Sequence, residues 1–246
     1  MIEEGNPTVD SCSCGSRLTW EFDSNGTLTI SGNGAMRTYE YTKEVPWNKY
    51  ASQIRNIVIG DQVTSISDYA FYGITGLRQL DIPSGITIIG DYAFKNCTGL
   101  TGVTLPNTLQ KLGESAFFGC SSLKEITIPE GIYTVWEYTF KNCTSLQKVS
   151  LPQSLIKLDE AVFYGCTSLT SITIPDGTGI IGAYCFKNCT RLASINLPAE
   201  LTSVREAAFY ATAVTEMTIP SKVTKIGPYA FKNCDKLETI SLPSGL

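Results

Sequence analysis

Three rows of residues in this chain have types and spacings that could do chemistry. The first is a row of thiols: Cys97, Cys120, Cys143, Cys166, Cys189 and Cys234, among nine cysteines in all. Thiolates bind soft metals, attack electrophiles and form disulfides. The second is a row of carboxylates, Asp68, Asp91, Glu114, Glu137, Glu160 and Glu206. Carboxylates in proximity can serve as general acids and bases. The third is a row of asparagines, with Asn-Cys-Thr triplets at Asn96, Asn142 and Asn188 that match the glycan-acceptor pattern.

Each row is also what a repeat would impose. Phe recurs at Phe71, Phe94, Phe117, Phe140, Phe163, Phe186, Phe209 and Phe231, at gaps of 23 residues except the last, which is 22. Pro83, Pro106, Pro129, Pro152, Pro175, Pro198, Pro220 and Pro243 follow in step. A period in the range of 20–50 residues is the signature of a solenoid. The six row cysteines each lie three residues after the Phe, a fixed register that suits a small buried hydrophobe. No Cys-x-x-Cys spacing and no histidine supports a metal site, so no cofactor is expected. Neighbouring coils would bring the sulfurs near one another, so disulfides stay open. Cys12 and Cys14 stand outside the repeat.

The carboxylates head the segments centred on the Phe, where they would complement the exposed amides of a first helical turn. Pro228 holds that place in the last unit, and Pro suits a first helical position. Gly or Asn follows two residues after the Phe, at Gly73, Asn96, Gly119, Asn142, Gly165, Asn188 and Asn233. These types best tolerate the left-handed backbone that stops a helix. Asn233 has no Thr two residues on, so the asparagines are read as turn residues and the triplets as incidental.

The predicted fold is a β-rich α/β solenoid of about eight 23-residue coils. Each coil has a short parallel strand of alternating apolar residues, such as Leu80 and Ile82 or Ile126 and Ile128, ended by the Pro. A crossing segment follows, with apolar residues three and six after the Pro, such as Leu155 and Leu158; Thr178 is the polar exception. The third part is a helical turn of five or six residues around the Phe. A finer alternation at 46 residues runs over the repeat. Units with Lys after the Phe (Lys95, Lys141, Lys187, Lys232) carry Tyr two before it, whereas Phe118, Tyr164 and Tyr210 are paired with Ser115, Ala161 and Ala207. A Lys stem can lie on the ring beside it; this stripe is read as packing, with a ligand cage as the competing reading. The seventh unit is one residue short and lacks both Gly/Asn and Cys, which predicts an irregular turn at 209–214.

Residues 1–10 are expected to form a disordered leader, 11–55 an N-terminal capping module, and 56–246 the repeats. In the cap, Leu18–Phe22 and Thr27–Ile30 flank Asn25-Gly26 as a β-hairpin. Trp20 and Trp47 are expected to plug the open end of the repeat core. Leu246 lies inside a new crossing segment, as in a fragment truncated at its carboxyl end.

The formal net charge of −4 and the lack of a basic run argue against a nucleic-acid groove. No apolar stretch is long enough to cross a membrane. Met1 is followed at once by Glu3 and Glu4, which is not a signal peptide. With no His, no nucleophile elbow and no phosphate loop, nothing meets the requirements of a catalytic site.

The unit IxxxAFKNCTxLxxVTLPxxL resembles the BspA-like class of leucine-rich repeats across about residues 56–246. The head segment CGSRLTWEFDSNGTLTISGNGAM, followed by PW, resembles the module that precedes such repeats. The resemblance implies a leucine-rich-repeat arc and a secreted or cell-surface protein with binding or adhesive roles, often from a host-associated bacterium. It implies no active site and carries no ligand.

The candidate binding residues are those that the alternation turns outward along the strands. One row is Asp81, Thr104, Thr127, Ser150, Thr173, Asn196 and Thr218; Gln79, Glu125 and Lys148 stand before it. Thr suits any solvent-facing strand. The functional reading is a shallow hydrogen-bonding face for a protein or glycan partner, weak at any one contact. The alternative is a structural spacer or self-associating stalk.

Overall fold

The rings that mark the repeat build the core. Phe71, Phe94, Phe117, Phe140, Phe163, Phe186, Phe209 and Phe231 stack in one column, with successive centroids 5.2 to 5.7 Å apart. The structure is a computed structural model and describes residues 8–246.

The segments around these rings are not helical turns. Among the described residues of the repeats there is no α-helix, only a succession of tight turns. The backbone bonding explains it. In one coil the N–H groups of Tyr92, Phe94 and Asn96 donate to the carbonyls of Glu114, Ala116 and Phe118 in the next coil, at 2.9, 2.8 and 2.7 Å. Between them, Lys95 and Cys97 close turns on Tyr92 and Phe94, both at 3.1 Å. An α-helix sends each amide four residues back along its own axis. Here alternate amides run between coils, so the solenoid has β-like bonding where an α/β repeat was expected.

This path needs left-handed backbone twice per coil, at Tyr92 (φ 59°) and at Asn96 (φ 61°). The acidic row therefore has a different role from helix capping. The Asp68 carboxylate accepts the N–H of Asp91 at 2.7 Å, and that of Asp91 accepts the N–H of Glu114 at 2.9 Å. A carboxylate in one coil thus satisfies an amide of the next. Gly113 makes room, because a Cβ there would stand 2.5 Å from the Asp91 carboxylate. Glu114, Glu160 and Glu206 accept the hydroxyls of Tyr92, Tyr138 and Tyr184.

Across the core from the Phe column runs the strand row. Strands β1 (Thr8–Gly15), β2 (Leu18–Asp23) and β3 (Thr27–Gly32) belong to the cap. Then come β4 (Asn56–Ile59), β5 (Gln79–Asp81), β6 (Gly102–Thr104), β7 (Glu125–Thr127) and β8 (Lys148–Ser150). The row ends with β9 (Ser171–Thr173), β10 (Ser194–Asn196), β11 (Glu216–Thr218) and β12 (Thr239–Ser241). The crossing segments form a second row of short strands, such as Ile88–Ile89 and Lys157–Leu158. Their inward residues are buried, Ile226 only partly, and Thr178 is buried with them, its hydroxyl donating to the Leu155 carbonyl at 3.1 Å.

The hairpin is β2–β3, and β3 pairs parallel with β4, Leu28 opposite Ile57 and Ile30 opposite Ile59. The cap thereby extends the strand row. Trp47 closes the core: its ring stacks on Phe71 at 5.9 Å and its Nε1 donates to the Ala70 carbonyl at 2.6 Å. Trp20 meets Trp47 edge-on at 5.9 Å. Residues 1–7 of the expected leader lie outside the described residues. The last three residues of that span are ordered in β1, which begins at Thr8 and pairs antiparallel with β2. Asp10 accepts the Tyr50 hydroxyl at 3.2 Å and pairs with Lys49 at 2.6 Å, which holds its carboxyl below its ordinary range.

In the short seventh unit the Phe turn itself is kept. Ala211 (φ 54°) takes the Gly/Asn place and Thr212 the Cys place, its hydroxyl 3.3 Å from Cys234 Sγ. The lost residue is absorbed afterwards, where Ala213 N–H donates directly to the Leu192 carbonyl at 3.0 Å.

Candidate binding face

The three rows that could have done chemistry are all engaged in holding coils together. Cys97, Cys120, Cys143, Cys166, Cys189 and Cys234 each donate Sγ–H to the carbonyl of the Phe one coil earlier, at 3.0 to 3.2 Å. All nine cysteines are free. Burial pushes the thiols of Cys97, Cys143 and Cys189 up to about 12. Such thiols are poor nucleophiles. Cys185, at the small-residue position before Phe186, is also fully buried and raised. Among the described residues no group of three or more Cys, Asp and Glu could hold a metal ion.

The Tyr–Lys stripe packs as its alternation implies. Lys95 Nζ lies 5.0 Å from the Tyr92 ring and 4.5 Å from that of Phe118. Lys141 lies 5.0 Å from Tyr138 and 4.7 Å from Tyr164. The side chains of Asn96, Asn188 and Asn233 donate to the hydroxyls of Tyr72, Tyr164 and Tyr210 in the preceding coil, at 3.2, 3.4 and 2.8 Å.

The ten predicted binding residues share the strand row. Gln79 and Asp81 are on β5, Thr104 on β6, Glu125 and Thr127 on β7, and Lys148 and Ser150 on β8. Thr173, Asn196 and Thr218 are on β9, β10 and β11. All are exposed except Ser150, which is half-buried. Register brings several together: Asp81 faces Thr104, Thr127 faces Ser150, and Thr173 faces Asn196. Glu125 faces Lys148, an opposite-charge pair of the favourable kind. The Asn196 amide bridges back to β9, accepting the Ile174 N–H at 3.4 Å and donating to its carbonyl at 3.3 Å.

Sequence reasoning missed that this row is not continuous. Ladders join β5 to β6, β7 to β8, β9 to β10 and β11 to β12, but not the strands between those pairs. Burial follows the same rhythm. Leu80, Ile126, Ile172 and Met217, at the centre of the first strand of each pair, are buried. Val103, Val149 and Ile195, at the centre of the second strand, are only partly buried, as are Leu151 and Leu197. Clefts open at three of these junctions. One of about 300 Å³ lies between β8 and β9, lined by Lys148, Val149, Ser150, Leu151, Ser171 and Thr173 among others. Another of about 500 Å³ lies between β10 and β11, over Ile195 and Leu197. A third, of about 580 Å³, lies between β4 and β5. The sequence signal that could have located them is the 46-residue alternation.

With this geometry in hand, the chain can be placed. Residues 49–170 and 157–246 match the BspA type leucine rich repeat region, in six copies. The chain belongs to that family. A leucine-rich-repeat protein from Bacteroides ovatus is 28% identical, with a TM-score of 0.74, over 92% of this chain and 70% of its own. A leucine rich cell surface protein from Faecalibacterium prausnitzii is 25% identical, with a TM-score of 0.65, over 96% of this chain and 77% of its own. A leucine-rich-repeat protein of T. pallidum, 24% identical with a TM-score of 0.53, covers 92% of this chain and 90% of its own and shares the fold. No curated protein matches. The matching family model describes a repeat region, and no described helix is long and apolar enough to cross a membrane.

Proposed function

We propose that this chain is a non-catalytic binding module that acts outside the cell, at a bacterial surface, and presents its strand row to a protein partner. The observation that carries this is the row itself: ten polar side chains, nine of them exposed, held in register along the solenoid. The extracellular setting is supported by the similar protein described as a cell surface protein. Many shallow polar contacts without aromatic anchors make each contact weak, so affinity comes from length and from multiple copies.

The test is an array of extracellular-matrix proteins and glycans probed with a multimerised chain and with a Thr127→Arg/Thr173→Arg variant. Both threonines are exposed, so the variant folds. A protein partner captured by the parent and lost in the variant supports the proposal. Capture that survives the two arginines moves the site off the strand row. A hit on glycans alone replaces the protein partner with a saccharide.

A further inference from the structure

The interruptions in the strand row bear on the shape of what lies across it. They occur at β4/β5, β6/β7, β8/β9 and β10/β11, once every two coils. At β8/β9 and β10/β11 the floor is aliphatic: Val149 and Leu151 in one, Ile195 and Leu197 in the other. No aromatic residue lines either cleft. A sugar ring stacks best on an aromatic face, so these clefts suit a small aliphatic side chain better.

The backbone adds direction. Ile128 N–H donates to the Ser150 carbonyl and Lys148 N–H to that of Lys124, so Lys148 and Ser150 turn their backbone groups toward β7. Parallel ladders alternate residue by residue. Val149 therefore aims its N–H and carbonyl across the cleft toward β9. At the start of β10, Ala193 and Ser194 N–H donate to the carbonyl of Thr170, the residue before β9, which turns Ser171 and Thr173 the other way, toward β8. Donors and acceptors from both walls converge where no ladder joins them.

Spacing then selects the occupant. Coils stacked at the usual strand separation place successive clefts about 10 Å apart. A polyproline II chain advances about 9 Å per turn of three residues, and its backbone makes no internal hydrogen bonds. A β-strand repeats its facing side chains about every 7 Å and would fall out of step.

Building on the strand-row function above, we infer that the partner segment is a polyproline II stretch lying along the solenoid axis. It places small apolar side chains three residues apart into the clefts at β8/β9 and β10/β11, and its carbonyls accept from the N–H groups on the cleft walls. The 46-residue duplication in the sequence then sets the period of the ligand.

The experiment is fluorescence anisotropy of labelled proline oligomers, two to ten residues long, with the whole chain. With every third residue in a cleft, the second cleft is reached at four residues. Affinity should rise about tenfold from three to four residues, where the clefts at β8/β9 and β10/β11 are both filled, and change little with further length. Ser171→Trp, an exposed position on the rim of β8/β9, should cover that cleft and remove a step while leaving the urea midpoint unchanged. A smooth rise with length overturns the inference, and so does silence at every length. Binding of an N-acetylglucosamine hexamer in place of proline oligomers overturns it in favour of a glycan. If a matrix protein is still captured by the parent and lost in Thr127→Arg/Thr173→Arg, the strand-row function stands and only the period-three ligand falls.

Discussion

Raising the pH from 8 to 10 should strip most of the stability from the central coils. Cys97, Cys120, Cys143, Cys166, Cys185 and Cys189 are fully buried, and burial raises every one of these thiols above its ordinary value of 9.0. Cys97, Cys143 and Cys189 stand at about 12. The sign follows from linkage. In the unfolded chain these thiols ionise once the pH passes 9, whereas in the fold they keep their protons, so alkali favours unfolding. Stability is untouched from this source below pH 9 and falls as the pH climbs toward 12. At pH 10 each thiol costs roughly 1–2 kcal/mol. Six together cost about 8 kcal/mol, set against the 5–15 kcal/mol typical of a whole domain. Urea titrations followed by circular dichroism at pH 8, 9 and 10 measure the loss. Hydrogen exchange should show it first in coils two to six, where the thiols sit. An unchanged urea midpoint between pH 8 and 10 would refute the argument. So would labelling of these six thiols by Ellman's reagent in the folded protein at pH 8, when only exposed Cys12 should react readily.

Phe140→Ala removes the middle of the ring column and should cost about 3–5 kcal/mol, with loss of circular dichroism that the Thr127→Arg/Thr173→Arg variant does not share. Trp47→Ala uncovers Phe71 and strands the Ala70 carbonyl. It should cost a similar amount, about 3–5 kcal/mol, with faster exchange confined to the cap and first coil. Ala161→Gly should stabilise by up to about 1 kcal/mol, because Ala161 is held at φ 52°, where only glycine is unstrained. A lower urea midpoint for that variant would mean the methyl's packing outweighs the strain.

The period of the Phe and Pro residues determined the solenoid, the number of coils and which residues face inward. The reason is that every coil must bury the same face on its neighbours, so one position read correctly is read eight times. Trp47 as a plug, Asn96 and Gly119 as left-handed turn residues, and Lys95 lying on a ring were all legible, because each depends on local conformation or on the next coil alone. The expected helical turns were not found. Asp91 followed by Tyr, Ala and Phe carries a helix-start signal, but the amides that would close the helix are taken by carbonyls of the following coil. Only the stacked structure supplies those carbonyls. It likewise holds Tyr92 and Ala161 at positive φ, which no property of Tyr or Ala announces. The division of the strand row was decided there too. Val103 and Leu80 are equivalent in sequence, yet Leu80 is buried and Val103 only partly so. That difference belongs to how pairs of coils pack, and it shapes the face on which a partner is proposed to lie.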